Sequence, residues 1–192
     1  MAQGTPPQLR GILFDRDGTL VVDVPMNDDP TRVQPLPTAA DAVRRARAAG
    51  LFVGVASNQP GIATGELSRD GLDRVNGRIE ALLGPFDGWF VCTHAKDAGC
   101  LCRKPQPGLV TQAARAWAVA PSELALIGDT AADVGAAANA GALGVLVPNP
   151  RTRREEVTAA PTVATTAIEA VERLLAHEPH AAPAVDPVGV HS

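Results

Sequence analysis

The sequence predicts a doubly wound α/β protein, in which helices flank both faces of a parallel sheet. Short apolar runs alternate along the chain with longer segments whose apolar residues recur at helical spacing. Within the short runs apolar residues follow one another without strict alternation, which is typical of strands buried on both faces. Strands that alternate with helices form right-handed βαβ units, so a Rossmann-like sheet is expected.

Four apolar runs predict the main strands, and a weaker run over 88–92 predicts a fifth. The four stronger runs are residues 10–14, 51–57, 123–128 and 142–147. Helical spacing occurs over residues 38–50, 67–84, 108–120, 130–141 and 166–177. Gly50, Gly84 and Gly141 end three of these segments, as glycines commonly end helices. We expect one domain over residues 1–176 and a disordered tail over 177–192, where Pro, Ala and His occur without periodicity.

Composition and charge exclude several functional classes. The chain of 192 residues carries a formal net charge of −4, so it has no basic field and nucleic acid is not an expected partner. No apolar run approaches the roughly 20 residues that span a membrane, and the first ten residues lack a signal peptide's apolar segment. The sequence therefore predicts a cytoplasmic protein, expected to be a monomer, that does not enter membranes. It contains neither GxxxxGK[ST] nor GxGxxG, so no P-loop or dinucleotide site is predicted.

Polar residues follow three of the predicted strands, at the carboxyl ends where parallel α/β sheets bind ligands. A lysine at the start of the third predicted helix should lie near them. The set consists of Asp15, Asp17, Ser57, Asn58, Lys104 and Asp129. Three carboxylates and one ammonium crowded together favour a hard divalent cation with oxygen ligands, and Mg²⁺ is the expected ion.

This set of side chains suits phosphoryl transfer through a covalent intermediate. Asp15 is the expected nucleophile, and Asp17 is expected to act first as general acid and then as general base. Ser57, with nearby amides, and Lys104 should hold the phosphoryl oxygens, while Asp129 holds the metal ion. Each piece also has a simpler interpretation, since a DxD can be an Asx-turn, and Ser57 or Asp129 can cap a helix. Their joint occurrence at successive strand ends favours the chemistry.

Four stretches resemble the motifs of the haloacid dehalogenase superfamily of phosphatases, most closely its branch of heptose bisphosphate and histidinol phosphate phosphatases. The stretches are FDRDGTL, ASNQPGI, CRKPQPG and IGDTAAD, and the resemblance covers roughly residues 10–150. It implies that Asp15, Asp129 and the main-chain carbonyl of Asp17 bind Mg²⁺, and that Arg103 reaches the substrate, a phosphorylated sugar. The expected substrate-binding and phosphate-binding residues are Ser57, Asn58, Arg103 and Lys104.

The resemblance also raises the question of a cap domain, which this superfamily often carries. About 40 residues separate Asp15 from Ser57, and a similar number separate Ser57 from Lys104; a helix and a strand already occupy each interval. We therefore expect a capless enzyme whose specificity rests on loops, notably residues 21–37 and the cysteine loop. Asp133 is left open, as a carboxylate behind the metal ligands or as an ordinary helix residue.

All three cysteines lie in one loop, together with a histidine. They are Cys92, Cys100 and Cys102, and His94 stands two residues after the first. One residue between Cys100 and Cys102 disfavours a disulfide between them, and a CxxC redox pair is absent. A Cys₃His set matches a tetrahedral structural zinc site in a loop over 92–102. The resembled branch carries a zinc loop of this pattern, usually with a longer interval between His94 and Cys100.

Two classes of function remain open on the sequence. The first is a Mg²⁺-dependent phosphatase acting on a phosphorylated sugar such as heptose 1,7-bisphosphate, or on histidinol phosphate or a related ester. The second is a non-catalytic, zinc-stabilised binding protein that keeps the same fold.

Overall fold

The computed structural model describes residues 8–176, whose strands form one five-stranded parallel sheet. The strands are β1 (Gly11–Phe14), β2 (Phe52–Asn58), β3 (Gly88–Cys92), β4 (Leu124–Gly128) and β5 (Leu143–Leu146). Their order across the sheet is β3-β2-β1-β4-β5, and every neighbouring pair is parallel. The predicted doubly wound sheet is confirmed. The predicted tail over 177–192 lies outside the described residues, so the domain boundary at residue 176 stays a prediction.

The described residues also form seven α-helices. They are α1 (Ala39–Ala48), α2 (Gly61–Thr64), α3 (Arg69–Leu83), α4 (Gly108–Ala116), α5 (Ala131–Ala140), α6 (Arg154–Ala159) and α7 (Ala167–Ala176). Five of them fall where helical spacing predicts a helix. The sequence did not predict α2 and α6, because segments of four and six residues are too short to show a period of 3.6.

The helices cover the two faces of the sheet with separate apolar clusters. Helices α1, α3 and α7 pack on one face, and α4 and α5 pack on the other. In α1 the buried residues are Ala39, Ala42, Val43 and Ala46, which recur at the spacing of one helix face. Trp117 is buried in the cluster under α4 and α5, where its ring stacks on that of Phe52 with centroids 5.3 Å apart.

The topology brings the loops that carry the predicted site to one edge of the sheet. Strand β1 lies at the centre between β2 and β4, and the carboxyl ends of all five parallel strands share that edge. The chain between β1 and β3 is occupied by α1, α2 and α3, so residues 8–176 contain no inserted cap domain, as predicted. No helix in this part of the chain is long and apolar enough to cross a membrane. The cytoplasmic location stays a prediction.

Candidate active site

Lys104 is the centre of a buried group of charges at the carboxyl ends of β1 and β4. Its Nζ lies 2.6 Å from Asp15 Oδ1 and 2.5 Å from Asp133 Oδ1, and it donates to the main-chain oxygen of Ala56 at 2.7 Å. The lysine is 4% exposed. One ligand atom each of Asp15, Asp129 and Asp133 lies within 4.8 Å of the others. Three carboxylates therefore surround one ammonium, and we name Asp15, Lys104, Asp129 and Asp133 the carboxylate cluster.

The ends of two strands and the start of one helix place the carboxylates. Asp15 directly follows β1, and its N–H donates to the main-chain oxygen of Ile127 on β4 at 2.8 Å. Asp129 directly follows β4. Asp133 lies in the first turn of α5, where its Oδ2 accepts from the main-chain N–H of Thr130 at 3.1 Å and from its hydroxyl at 2.6 Å. This capping box fixes the Asp133 side chain and leaves Oδ1 for Lys104.

Asn58, at the end of β2, forms two hydrogen bonds with the main chain of Lys104. Its Oδ1 accepts from the main-chain N–H of Lys104 at 3.1 Å, and its Nδ2 donates to the main-chain oxygen of Lys104 at 3.2 Å. The side chain of Asn58 therefore orients Lys104, and its predicted contact with phosphate stays a prediction. Neither Ser57 nor Asn58 caps a helix, because the next helix, α2, has Pro60 at its N-cap.

Burial is the largest influence on the pKa values of Asp15, Asp129 and Lys104. Burial raises the pKa of Asp15 well above its usual range, against the opposing effect of the Lys104 ammonium. Burial, with the nearby charge of Asp133, raises the pKa of Asp129 to about 6. Burial disfavours the ammonium of Lys104, but the two carboxylates that it contacts outweigh this effect and raise its pKa above the usual value. The cluster thus holds more negative than positive groups, and a bound cation would relieve the repulsion.

Asp17 follows Asp15 closely in the chain, but nitrogen donors of other side chains hold its carboxylate. Arg16 reaches it with Nε and Nη2, each 3.0 Å from Oδ2, and Gln59 Nε2 donates to the same oxygen at 2.7 Å. The Gln59 amide also donates to Ser57 Oγ at 2.9 Å. Asp17, the expected general acid and base, and Ser57, an expected phosphate-binding residue, therefore share Gln59 as a hydrogen-bond donor.

Arg103 and Lys104 line a cavity of about 310 Å³ beside the cysteine loop. The Nη1 atom of Arg103 is buried and has no hydrogen-bond partner among the described residues. A buried guanidinium nitrogen without an acceptor is costly, so the position suits an anionic group of a ligand.

The cysteine loop gathers its four predicted ligands into one cluster. Cys92 Sγ lies 3.6 Å from His94 Nδ1 and 3.6 Å from Cys100 Sγ, and Cys102 Sγ lies 3.2 Å from His94 Nδ1 and 3.6 Å from Cys100 Sγ. All three cysteines are free, so no disulfide forms among them. Burial and the neighbouring thiols of Cys92 and Cys100 raise the pKa of Cys102 to about 12.

Several residues that the sequence did not single out contact the predicted site. Arg16 and Gln59 hold Asp17, and both stand inside the motif stretches, so their positions were the available signal. Asn149 follows β5 and donates from Nδ2 to Asp129 Oδ2 at 2.7 Å. Asn149 stands two residues after the predicted strand over 142–147, so its position at a strand end was the available signal.

Comparison with known proteins identifies the class to which this fold and site belong. A family described as HAD-hydrolase-like matches residues 101–174. The D-glycero-β-D-manno-heptose-1,7-bisphosphate 7-phosphatase of Pseudomonas aeruginosa is 33% identical over 144 residues, which are 71% of this chain and 79% of that protein. The enzyme of the same name from Mesorhizobium japonicum is 36% identical over 147 residues, covering 71% of this chain and 68% of the relative.

Solved structures agree with these relatives. The crystal structure of D,D-heptose 1,7-bisphosphate phosphatase from B. bronchiseptica, complexed with magnesium and phosphate, matches with a TM-score of 0.77 at 29% identity, over 88% of this chain and 99% of that chain. A putative HAD-like phosphatase from Mesorhizobium loti matches with a TM-score of 0.71 at 29% identity, over 91% of each chain. The chain belongs to the haloacid dehalogenase-like hydrolase family and is a phosphatase, as the four motifs predicted. The relatives to which it is similar are phosphatases of heptose bisphosphate, which sets aside the non-catalytic alternative.

Proposed function

We propose that this phosphatase depends on Mg²⁺ and removes the 7-phosphate of D-glycero-D-manno-heptose 1,7-bisphosphate through an aspartyl-phosphate intermediate. The observation that carries the mechanism is the contact of Lys104 Nζ with Asp15 at 2.6 Å and with Asp133 at 2.5 Å, beside Asp129. The names of the relatives support the substrate, and the crystal structure with magnesium and phosphate supports the cation.

The reaction proceeds in two displacements at phosphorus. In the first, a carboxylate oxygen of Asp15 forms a bond to phosphorus while the bond to the sugar oxygen breaks, and Asp17 gives that oxygen a proton. In the second, Asp17 takes a proton from water, the water oxygen bonds to phosphorus, and the aspartyl-phosphate bond breaks to release inorganic phosphate and restore Asp15. Lys104, held as an ammonium, lies next to Asp15 and balances charge on the phosphoryl oxygens in both displacements.

The donors of the carboxylate cluster fit Mg²⁺. Three carboxylates with ligand atoms within 4.8 Å of one another offer hard oxygen donors, and they hold more negative charge than Lys104 balances. Asp15 and Asp129 would bind the ion, with the main-chain carbonyl of Asp17, and Asp133 would stand behind them next to Lys104. When bound, Mg²⁺ neutralises charge on the phosphoryl oxygens.

The groups around Asp15 suit a substrate with a second phosphate. The Gln59 amide links Ser57 to Asp17, and this proximity supports the assignment of Ser57 to the reacting phosphate. Arg103 has a buried guanidinium nitrogen free among the described residues, on the cavity that it shares with Lys104. We assign Arg103 to the phosphate that is not cleaved, because Lys104 already contacts Asp15 and the Arg103 guanidinium on the same cavity still needs an anionic acceptor. A phosphorylated sugar is then the partner of the site, and monomeric state stays a prediction.

The cysteine loop fits a structural zinc ion. Zinc with sulfur ligands at about 2.3 Å in a tetrahedron sets neighbouring sulfurs roughly 3.8 Å apart, close to the 3.6 Å separations of the loop. With Cys92, His94, Cys100 and Cys102 as ligands, no coordination position stays open for a reactant. The zinc would act by fixing the loop whose next residues are Arg103 and Lys104.

Phosphate release by the purified protein with Mg²⁺ tests this function. The panel contains both anomers of heptose 1,7-bisphosphate, histidinol phosphate and common hexose phosphates, and the Asp15→Asn variant serves as the blank. We expect a preference of at least tenfold in kcat/KM for a heptose bisphosphate and no turnover by the blank. A preference for histidinol phosphate, or similar activity on every compound of the panel, would refute the proposed substrate but not the phosphatase mechanism. Release by Asp15→Asn equal to the wild type would overturn the nucleophile.

A further inference from the structure

Asn149 joins the turn after β5 to a carboxylate of the proposed metal site. Its Nδ2 donates to Asp129 Oδ2 at 2.7 Å and to the main-chain oxygen of Gly18 at 3.2 Å. Its Oδ1 accepts from the main-chain N–H of Arg151 at 2.8 Å. Both N–H groups and the oxygen of this amide are therefore engaged, so the side chain has little freedom to rotate.

The turn around Asn149 holds Asp129 at a second point. The hydroxyl of Thr152 donates to the main-chain oxygen of Asp129 at 2.7 Å and accepts from the main-chain N–H of Asn149 at 2.9 Å. One short segment thus bonds both the main chain and the carboxylate of Asp129. An ordinary solvated turn requires neither bond, so the arrangement constrains Asp129 itself.

Gly18 shows how closely these groups approach each other. Its φ is +86°, and a Cβ built on it would lie 2.5 Å from Asp129 Oδ2 and 2.9 Å from Asn149 Nδ2. The DxD loop, Asp129 and the Asn149 amide therefore meet with no space for a side chain. Only glycine adopts this conformation without strain and allows such contact.

We propose that Asn149 is a positioning residue for Mg²⁺, which orients the Asp129 carboxylate for the ion through the bond to Oδ2. An amide N–H₂ group has no lone pair to offer a cation, so Asn149 acts through Asp129 and not as a ligand. Hydrogen-bond partners of metal ligands fix ligand orientation, and their loss typically weakens metal binding by about 10- to 100-fold. The inference rests on the Mg²⁺ dependence proposed above and names a residue that the four motifs do not contain.

Titration of the full chain with Mg²⁺ alone, by calorimetry and by thermal unfolding, tests the proposal with two variants. Asn149→Ala removes the amide. Asn149→Ser keeps a turn-forming oxygen for the main-chain N–H of Arg151 but is too short to reach Asp129, so it guards against a mere folding failure. Asn139→Ser is the matched control, because the amide of Asn139 donates to the main-chain oxygen of Pro105 and not to Asp129.

We expect the dissociation constant for Mg²⁺ to rise by about tenfold or more in both Asn149 variants and by less than about twofold in the control. The Mg²⁺-induced rise in melting temperature should shrink in the same order, and turnover should recover at high Mg²⁺. If both variants lower the metal-free melting temperature and bind Mg²⁺ as the wild type does, Asn149 is merely structural and the proposal is wrong. Failure of the wild type to bind Mg²⁺ would instead overturn the metal dependence of the proposed function, and this inference with it.

Discussion

Replacing Asp129 by asparagine should abolish turnover and yet make the metal-free protein more stable. Asp129 is 7% exposed, and burial with the nearby Asp133 raises its pKa to about 6. The ionised carboxylate is therefore less favourable in the folded chain than in the unfolded chain. Asparagine has the same shape, carries no charge, and still offers an oxygen to the amide of Asn149.

The expected gain in stability depends on pH, and its sign follows from the direction of the pKa shift. An acid whose pKa rises on folding from 3.8 to about 6 costs stability as pH rises through this interval, and the cost is complete above the folded pKa. Two pKa units correspond to about 3 kcal/mol, which is an upper value because Asp129 keeps some exposure to solvent, which screens its charge. At pH 4.5 the same shift lowers the free energy of unfolding by only about 1 kcal/mol. Asp129→Asn should thus exceed the wild type by up to about 3 kcal/mol at pH 8 and by up to about 1 kcal/mol at pH 4.5.

Urea unfolding in buffer without added Mg²⁺, followed by the fluorescence of the two tryptophans, Trp89 and Trp117, measures this difference at both pH values. The Asp73→Asn variant is the matched control, since Asp73 is an exposed carboxylate on α3 and its loss should shift stability by less than about 0.5 kcal/mol. Added Mg²⁺ should stabilise the wild type and leave Asp129→Asn unchanged. A variant that is less stable than the wild type at pH 8, or a difference independent of pH, would refute the reasoning.

Two further predictions concern Lys104 and the cysteine loop. Lys104→Met should lower kcat by about 10²–10³ at saturating Mg²⁺, because a preorganised positive charge at the reacting phosphate is lost. A loss under tenfold in steady-state phosphate release would contradict that role. Metal analysis should find about one zinc per chain, and Cys102→Ser should lose the zinc and lower the urea midpoint. A zinc-free wild type that unfolds at the same midpoint as Cys102→Ser would contradict the zinc loop.

The sequence predicted the sheet and its main helices because buried faces require apolar residues at regular positions, and these patterns can be read directly from the sequence. The run over 10–14 became β1, whose four residues are all buried, and the 3.6 spacing over 38–50 became α1 with one apolar face. Length limits this signal. α2 is a single turn, and α6 begins in the mixed-charge stretch over 151–156, so neither shows a repeat.

The positions of the predicted site residues followed from topology, but their partners did not. That Asp15 and Asp129 lie together follows from parallel strands that share one edge of the sheet. The hydrogen bonds from Asn58 to the Lys104 main chain cross 46 residues and depend on the path of the cysteine loop, which no local pattern records. Asp133 stayed open for the same reason, since a helix-capping role and an ion pair with Lys104 leave the same trace in the sequence.

The charges of the carboxylate cluster also bear on the order in which ligands bind. Asp15, Asp129 and Asp133 supply up to three negative charges, and Lys104 supplies one positive charge. A phosphate dianion that approaches this cluster without a metal ion meets net repulsion. One divalent cation brings the sum to zero, so cation binding should precede or accompany phosphate binding. Burial first, and then the neighbouring carboxylates, raise the pKa values of Asp15 and Asp129, so a cation bound at this site would relieve an arrangement that costs the metal-free protein stability.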